Sequence, residues 1–394
     1  MLNALAAFLF SCVTMPLMKR IHVLFHDAGG GHRNAAVALQ TIASQQQRPW
    51  EMNLIQFQDL TNQLDVLRRL TGIQIQEQYN VLLRNGWTLG AKQILRVLQA
   101  TIRLFHRPLV KLLREYFREH PADLLVSVIP HFNRAICEAW TSVYPERPFV
   151  TIITDLADFP PRFWIEPMRD QYVICGSDKA VQQALAMGKE PSHVFATSGM
   201  ILRPDFYVEE QVDPVALRKE LGLDPDLPTG ILLFGGFGSK VMYEIAKRLE
   251  AAKTKVQLIV VWGRNEKLKD KFLGRNWNLP LHVLGFTKEV HSLMHAADFL
   301  IGKPGPGSIA EAMVRRLPVI VECNSWTLPQ ERYNTEWVKE RRVGIVLKNF
   351  REIVQGVNQL LEPATLAEFR RNVSALNNRA IFEIPEIFSK LLRE

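Results

Sequence analysis

Residues 297–313, ADFLIGKPGPGSIAEAM, read as a strand, a glycine-rich turn and the start of a helix. Phe299, Leu300 and Ile301 are bulky and apolar, as a strand covered on both faces requires. Between Gly302 and Gly307 glycine alternates with proline, so the turn is stiff yet exposes backbone N–H groups. Ile309 and Met313 then recur four apart, which is a helical period. A strand feeding a helix through such a turn is the unit of a parallel α/β sheet. Its turn offers free N–H groups and the positive end of a helix dipole to phosphate oxygens.

The same unit recurs along the chain. Upstream, apolar β-rich runs lie at 21–27, 123–129, 149–155 and 172–177. A helical stripe at 34–44 is formed by Ala35, Ala36, Leu39 and Ile42. A mostly helical stretch from about 65 to 120 interrupts this alternation. A Pro-, Gly- and acid-rich region at 203–230 reads as interdomain. Beyond it, strands are expected at 230–236, 256–263, 281–286, 299–303, 318–322 and 343–347, with helices at 240–252, 290–297, 308–316 and 329–341. The 394 residues exceed one ordinary core. The expectation is an α/β chain with two parallel-sheet domains of similar size. Ligands should sit at the carboxyl ends of the strands, in the cleft between them.

With 47% hydrophobic and 22% charged residues and no low-complexity tract, the composition is that of a globular protein. The formal charge of +8 favours an anionic partner: a nucleotide, an acidic lipid surface or nucleic acid. Cys12, Cys137, Cys175 and Cys323 form no CxxC pair and read as reduced, buried thiols. Residues 1–18 are apolar without Lys or Arg, which makes a poor secretory signal. They are too short to span a bilayer and are broken by Pro16. An interfacial anchor, a disordered tail and an over-long start before Met18 all remain open.

A second glycine-rich junction, FHDAGGGHRNAAVALQ, lies at 25–40. Asn34 stands where a dinucleotide fingerprint needs its third glycine, and the Walker A pattern is absent. His32 at the helix start is placed to take a proton from a hydroxyl, or is a surface residue beside a tight turn. Similar alternatives attach to the downstream sites. Ser308 and Glu311 have capping-box spacing, while Glu311 also suits a ribose diol. Gln330, Glu331 and Asn334 suit sugar hydroxyls or form a solvated helix start, with Gln330 and Asn334 expected on one helix face. The turn with Gly236 and Gly238, the strand end at Arg264, and Phe286 complete the set. Spacing alone favours Phe286 as a core residue, though it suits the flank of a flat base.

The segments DAGGGHRNAA, TDLADFPPRFW, GGFG, GRN, LGF, GKPGPGSIAEA and LPQERYN come in the order seen in one glycosyltransferase family. The chain resembles, over about residues 19–370, the family of monogalactosyldiacylglycerol synthases and processive diacylglycerol glucosyltransferases. The peptidoglycan N-acetylglucosaminyltransferase is a more distant relative. The resemblance implies a GT-B fold: a tail at 1–18, an acceptor-side Rossmann-like domain at 19–205, a donor-side one at 206–370, and a C-terminal helix at 371–394 packing back on the first. It implies an inverting, metal-independent transfer of a hexose from a UDP-sugar to a lipid acceptor, with no cofactor.

By position, Gly305, Pro306, Gly307 and Ser308 would hold the diphosphate and Glu311 the ribose. Phe286 would mark the uracil pocket, with Gly236, Gly238 and Arg264 also on the donor side. Gln330, Glu331 and Asn334 would lie near the sugar. Gly30, Gly31, His131 and Trp164 would face the acceptor, with His32 as the base. Asp155 would orient or polarise His32 or act in its place, the alternative being a helix or turn cap. The family carries a histidine a few residues after the equivalent of Asp155, where this chain has DLADFPPRFW. That change falls on the acceptor side and leaves diacylglycerol as one option among lipid acceptors.

Within 65–120, Arg68, Arg69, Arg84, Lys92, Arg96, Arg103, Arg107, Lys111, Arg114 and Arg118 are interleaved with Tyr79, Trp87, Phe105, Tyr116 and Phe117. Such a stretch suits an anionic bilayer surface, or is an ordinary solvated helical face. No nucleic-acid-binding motif accompanies it, so peripheral attachment at the cytoplasmic face of a membrane is expected and nucleic acid is not. DPD at 224–226 matches a metal-clip pattern in letters only, within a Pro-rich connector. A UDP-N-acetylglucosamine 2-epimerase and a catalytically silent lipid-binding protein are the competing functions.

Overall fold

The computed structural model describes residues 18–26, 30–61, 102, 104–209, 211 and 213–393. Two six-stranded, all-parallel sheets organise the chain. The N-terminal sheet comprises β1 (Lys19–Phe25), β2 (Trp50–Gln56), β3 (Leu124–Ser127), β4 (Phe149–Ile153), β5 (Gln171–Cys175) and β6 (Val194–Ala196), in the order β2-β1-β3-β4-β5-β6. The C-terminal sheet comprises β7 (Thr229–Leu233), β8 (Gln257–Gly263), β9 (Leu281–Gly285), β10 (Phe299–Gly302), β11 (Val319–Glu322) and β12 (Gly344–Leu347), in the order β12-β11-β10-β7-β8-β9. Each order reverses once, between β1 and β3 in the first sheet and between β7 and β10 in the second. Loops diverge at these points and leave a crevice above the strand ends.

Two strands escape the sequence reading. Trp50–Gln56 (WEMNLIQ) mixes polar and apolar residues because it is an edge strand and only partly covered. Val194–Ala196 is three residues long, at the opposite edge. The central strands, by contrast, are buried along their whole length, which is why their apolar runs stand out.

The helices that position the site are α1 (Gly31–Gln45), α2 (His106–Glu119), α3 (Asp178–Ala186), α4 (Pro306–Val314), α5 (Arg332–Glu340) and α6 (Ala380–Leu392). α6 lies in the N-terminal core, where Phe388 packs on Trp50 and Ile381 and Ile384 join Leu39 and Ile42. Leu156, Met200 and Leu202 from the first lobe cluster with Ala310 of α4, with Tyr333 and Trp337 of α5 alongside. That apolar contact brings the carboxyl end of β4 against the helix of the glycine–proline turn.

The expected helical stretch from 65 to 120 falls largely outside the described residues, as do Arg68, Arg69, Tyr79, Arg84, Trp87, Lys92, Arg96 and Arg103. Within α2, Phe117 is in the core against Trp140, which corrects its expected place on a surface face. Leu109, Val110 and Leu113 share that buried side, while Arg107, Lys111 and Arg118 stay exposed. Residues 1–17 are also outside the description. Among the described residues no helix is long and apolar enough to cross a membrane.

Candidate functional site

At the donor-side junction, α4 begins at Pro306 with Gly305 as N-cap, two residues earlier than expected. Ser308 and Glu311 are therefore both inside the helix, and the capping-box reading is wrong; no side chain caps α4. The first bond back is from Ile309 N to the Gly305 carbonyl at 3.1 Å. The N–H groups of Gly307 and Ser308 precede it, at the positive end of the dipole. A methyl group added at Gly307 would meet nothing within 4 Å, so that backbone faces open space.

Gly235–Phe237 lie at the end of β7, one strand over. Gly236 is exposed, with its Cβ position 4.0 Å from Phe286. Gly238, by contrast, answers to packing: its φ is +58° and a methyl there would lie 2.4 Å from the Trp262 carbonyl oxygen. Phe286 is not in the core but 52% exposed, and the Arg264 guanidinium lies over its ring at 4.3 Å. A flat cation on an exposed ring leaves an amphipathic platform at the edge of the sheet.

The 328–334 segment splits in two. Pro329–Glu331 form a 3-10 turn and α5 starts only at Arg332, so Gln330 and Asn334 share no helix face. Asn334 is fully buried and its Nδ2 donates to the Pro304 carbonyl at 2.8 Å. It shapes the glycine–proline loop from below and is corrected from sugar contact to loop support. Glu331 is nearly buried, and Lys303 Nζ donates to its Oε1 at 3.3 Å. Burial pushes the Glu311 carboxyl up to about 7, against an opposing pull from Arg203.

On the acceptor side, Gly30 caps α1 in the left-handed region, φ +82°, and neither Gly30 nor Gly31 has an atom within 4 Å of its Cβ position. Gly29 lies outside the described residues. His32 is half-buried rather than a surface residue, and Thr154 Oγ1 lies 3.1 Å from its Nδ1. Burial pulls its pKa down to about 4, opposed by a hydrogen bond with the Val128 backbone. The ring is therefore neutral at physiological pH. His131, with φ +69°, stands edge-on to Phe163 and is likewise lowered to about 4 by burial.

Asp155 caps no turn and does not hydrogen-bond His32. Its Oδ2 accepts from Trp164 Nε1 at 2.9 Å, and burial pushes its pKa up to about 7. Glu331 and Asp158 push the same way, while the Trp164 bond and Lys303 oppose them. Glu331 and Lys303 belong to the other lobe, so groups of both lobes act on the Asp155 carboxyl. Trp164, expected to touch an acceptor, is fully buried. It supports the site instead, with its ring 5.8 Å from His32 and its N–H on Asp155.

Four groups escaped the sequence reading. Thr154 sits beside a residue that was singled out. His26, within the quoted junction, stands edge-on to Phe57 and Phe132, and its charge is disfavoured by burial and by His32 and His131. Asp158 accepts from Trp164 N at 2.6 Å and Arg162 N at 3.0 Å, locking the loop that carries Trp164. Lys303 lies inside the opening motif. Asp224, the first letter of DPD, accepts from Asp226 N and makes a local turn. Among the described residues no cluster of His, Cys, Asp and Glu fits a metal.

A model of the glycosyltransferase family 28 C-terminal domain matches residues 231–368. The chain is 30% identical over 416 residues to probable monogalactosyldiacylglycerol synthase 2, chloroplastic, of Oryza sativa subsp. japonica, covering 95% of this chain and 81% of that one. It is 29% identical to the monogalactosyldiacylglycerol synthase, chloroplastic, of Spinacia oleracea, covering 95% and 73%. Among solved structures, Acinetobacter baumannii MurG matches with a TM-score of 0.59 at 12% identity over 94% of this chain and 99% of that one. The S. aureus MnaA–UDP co-structure matches with a TM-score of 0.59 at 14% identity over 95% and 97%. At those identities the structural likeness shows the two-domain GT-B fold and no more.

Proposed function

The chain belongs to the glycosyltransferase family of the monogalactosyldiacylglycerol synthases, and from that premise we propose that it moves a hexose from a UDP-sugar to a membrane lipid of the diacylglycerol or glycolipid type. The observation that carries this reading is the uncapped amino end of α4, open at Gly307 and set against the carboxyl end of β4. One lobe holds an anion and the other holds proton-handling groups.

In this reading the acceptor oxygen attacks the anomeric carbon from the His32 side as the bond to the UDP oxygen breaks, with inversion. His32, neutral through physiological pH, takes the hydroxyl proton. Asp155 faces the same cleft, and its ionisation near pH 7 gates turnover. The negative charge that develops on the departing diphosphate meets the N–H groups of Gly307 and Ser308 and the α4 dipole, which takes the place of a divalent metal. Glu311 receives the ribose hydroxyls, Phe286 with Arg264 receives the base, and Gln330 and Glu331 lie toward the sugar.

The basic outer side of α2, with Arg107, Lys111 and Arg118 exposed and Leu104 at its entrance, supports attachment to an anionic bilayer. The test is incubation with membrane lipid extract and a panel of UDP-sugars in EDTA, with products identified by mass spectrometry. A glycosylated lipid is expected. Epimerised UDP-sugar without lipid product, or no reaction with any donor, would overturn the proposal.

A further inference from the structure

We propose that Lys303 is the cation that receives the donor's diphosphate, and that Glu331 holds it in place until the donor arrives. This inference rests on the reading of the C-terminal lobe as the donor side. Lys303 follows β10 directly and Gly235 lies two residues beyond β7, the neighbouring strands between which the sheet order reverses. A crevice at that position is where a parallel sheet binds its ligand. The lysine stem lies between the two glycine loops that form it. Its Cε is 3.5 Å from the Cβ position of Gly305 and 3.7 Å from that of Gly235.

The ammonium pairs with the Glu331 carboxylate at 3.3 Å. The lysine side chain is 44% exposed while that of Glu331 is 11% exposed. A ligand entering the crevice therefore reaches the cation and leaves the carboxylate beneath it. Arg264, also on this side, is spread over the Phe286 ring at the sheet edge. The N–H groups of Gly307 and Ser308 offer partial charges, and a charge-assisted hydrogen bond from an ammonium to a phosphoryl oxygen is roughly twice as strong as a neutral one. A short rotation of the lysine stem transfers the ammonium from carboxylate to phosphoryl oxygen, leaving the carboxylate free to accept from a sugar hydroxyl.

The experiment is calorimetric titration of UDP and of uridine, in EDTA, into the wild type, Lys303→Met, Lys303→Arg and Glu331→Gln. Uridine lacks the phosphates, so its affinity controls for folding in each variant. Lys303→Met is expected to lose about tenfold or more in UDP affinity with uridine affinity unchanged, and Lys303→Arg to recover most of it. Glu331→Gln, which releases the ammonium, is expected to bind UDP as tightly as the wild type or more tightly. Equal UDP affinity in the wild type and Lys303→Met overturns the inference alone. A loss in Glu331→Gln matching that in Lys303→Met also overturns it, because the pair would then be only structural. A wild type that binds neither ligand overturns the donor-side reading itself.

Discussion

The two glycine-to-helix junctions, Gly30–His32 and Gly305–Ser308, are alike in backbone and opposite in chemistry. Both open an uncapped helix beside the strand pair where the sheet order reverses, and both face open space. Around the first lie three histidines, all held neutral by burial, and an acid raised to about 7. Around the second lie backbone N–H groups, a Lys303–Glu331 ion pair and the buried Glu311 carboxyl. In the proposed function, one architecture thus supplies a place to move a proton and a polarised place to hold an anion. Side chains brought to the turn from other strands and loops, among them His131, Asp155 and Glu331, make the difference.

Replacing His32 by alanine should sharpen this contrast most. Turnover should fall by about 10²- to 10⁴-fold, the usual weight of a general base, with UDP affinity unchanged. A variant that turns over normally would remove His32 from the chemistry. Gly307→Ala should do the reverse: it places a methyl in the open space above α4, so donor affinity should drop about tenfold or more while thermal stability holds or rises slightly. Its counterpart Gly238→Ala should lose stability, about 1–3 kcal/mol, because the residue sits at φ +58° with a carbonyl where the methyl must go. Thermal melts of the pair separate an anion-binding glycine from a packing glycine.

The pH dependence is a finer test. An acid with a pKa near 7 is protonated below it, so if the Asp155 carboxylate is required, turnover falls as pH drops through 7. His32, at about 4, stays neutral over that range and adds no limb. Trp164→Phe keeps the ring and removes the N–H that favours the carboxylate form, so the limb should move to higher pH. Glu311 also titrates near 7; a limb that belongs to it should appear in the donor KM and vanish in Glu311→Gln. A limb unmoved by Trp164→Phe would assign it elsewhere.

Much of this was legible in the chain itself. Central strands are covered on both faces, so their apolar runs named the two sheets, and the glycine–proline turn marked the junction between β10 and α4. The two edge strands of the N-terminal sheet were not legible, because a half-covered WEMNLIQ looks like a loop and Val194–Ala196 is only three residues long. Within the candidate site, residue type did not give depth. Trp164 and Asn334 have the chemistry of contact residues yet lie fully buried, where they hold Asp155 and the Pro304 carbonyl. Phe286 has the chemistry of a core residue yet is exposed. Lys303 was invisible because its meaning depends on two strands, β7 and β10, that lie far apart in sequence and side by side in space.

The division of labour between the lobes is tested most directly by titrating UDP, in EDTA, into the wild type and into His32→Ala and Gly307→Ala variants. Equal affinity in the first two and a marked loss in the third is the result expected. Absence of binding to the wild type, or a loss in His32→Ala as large as that in Gly307→Ala, would contradict it.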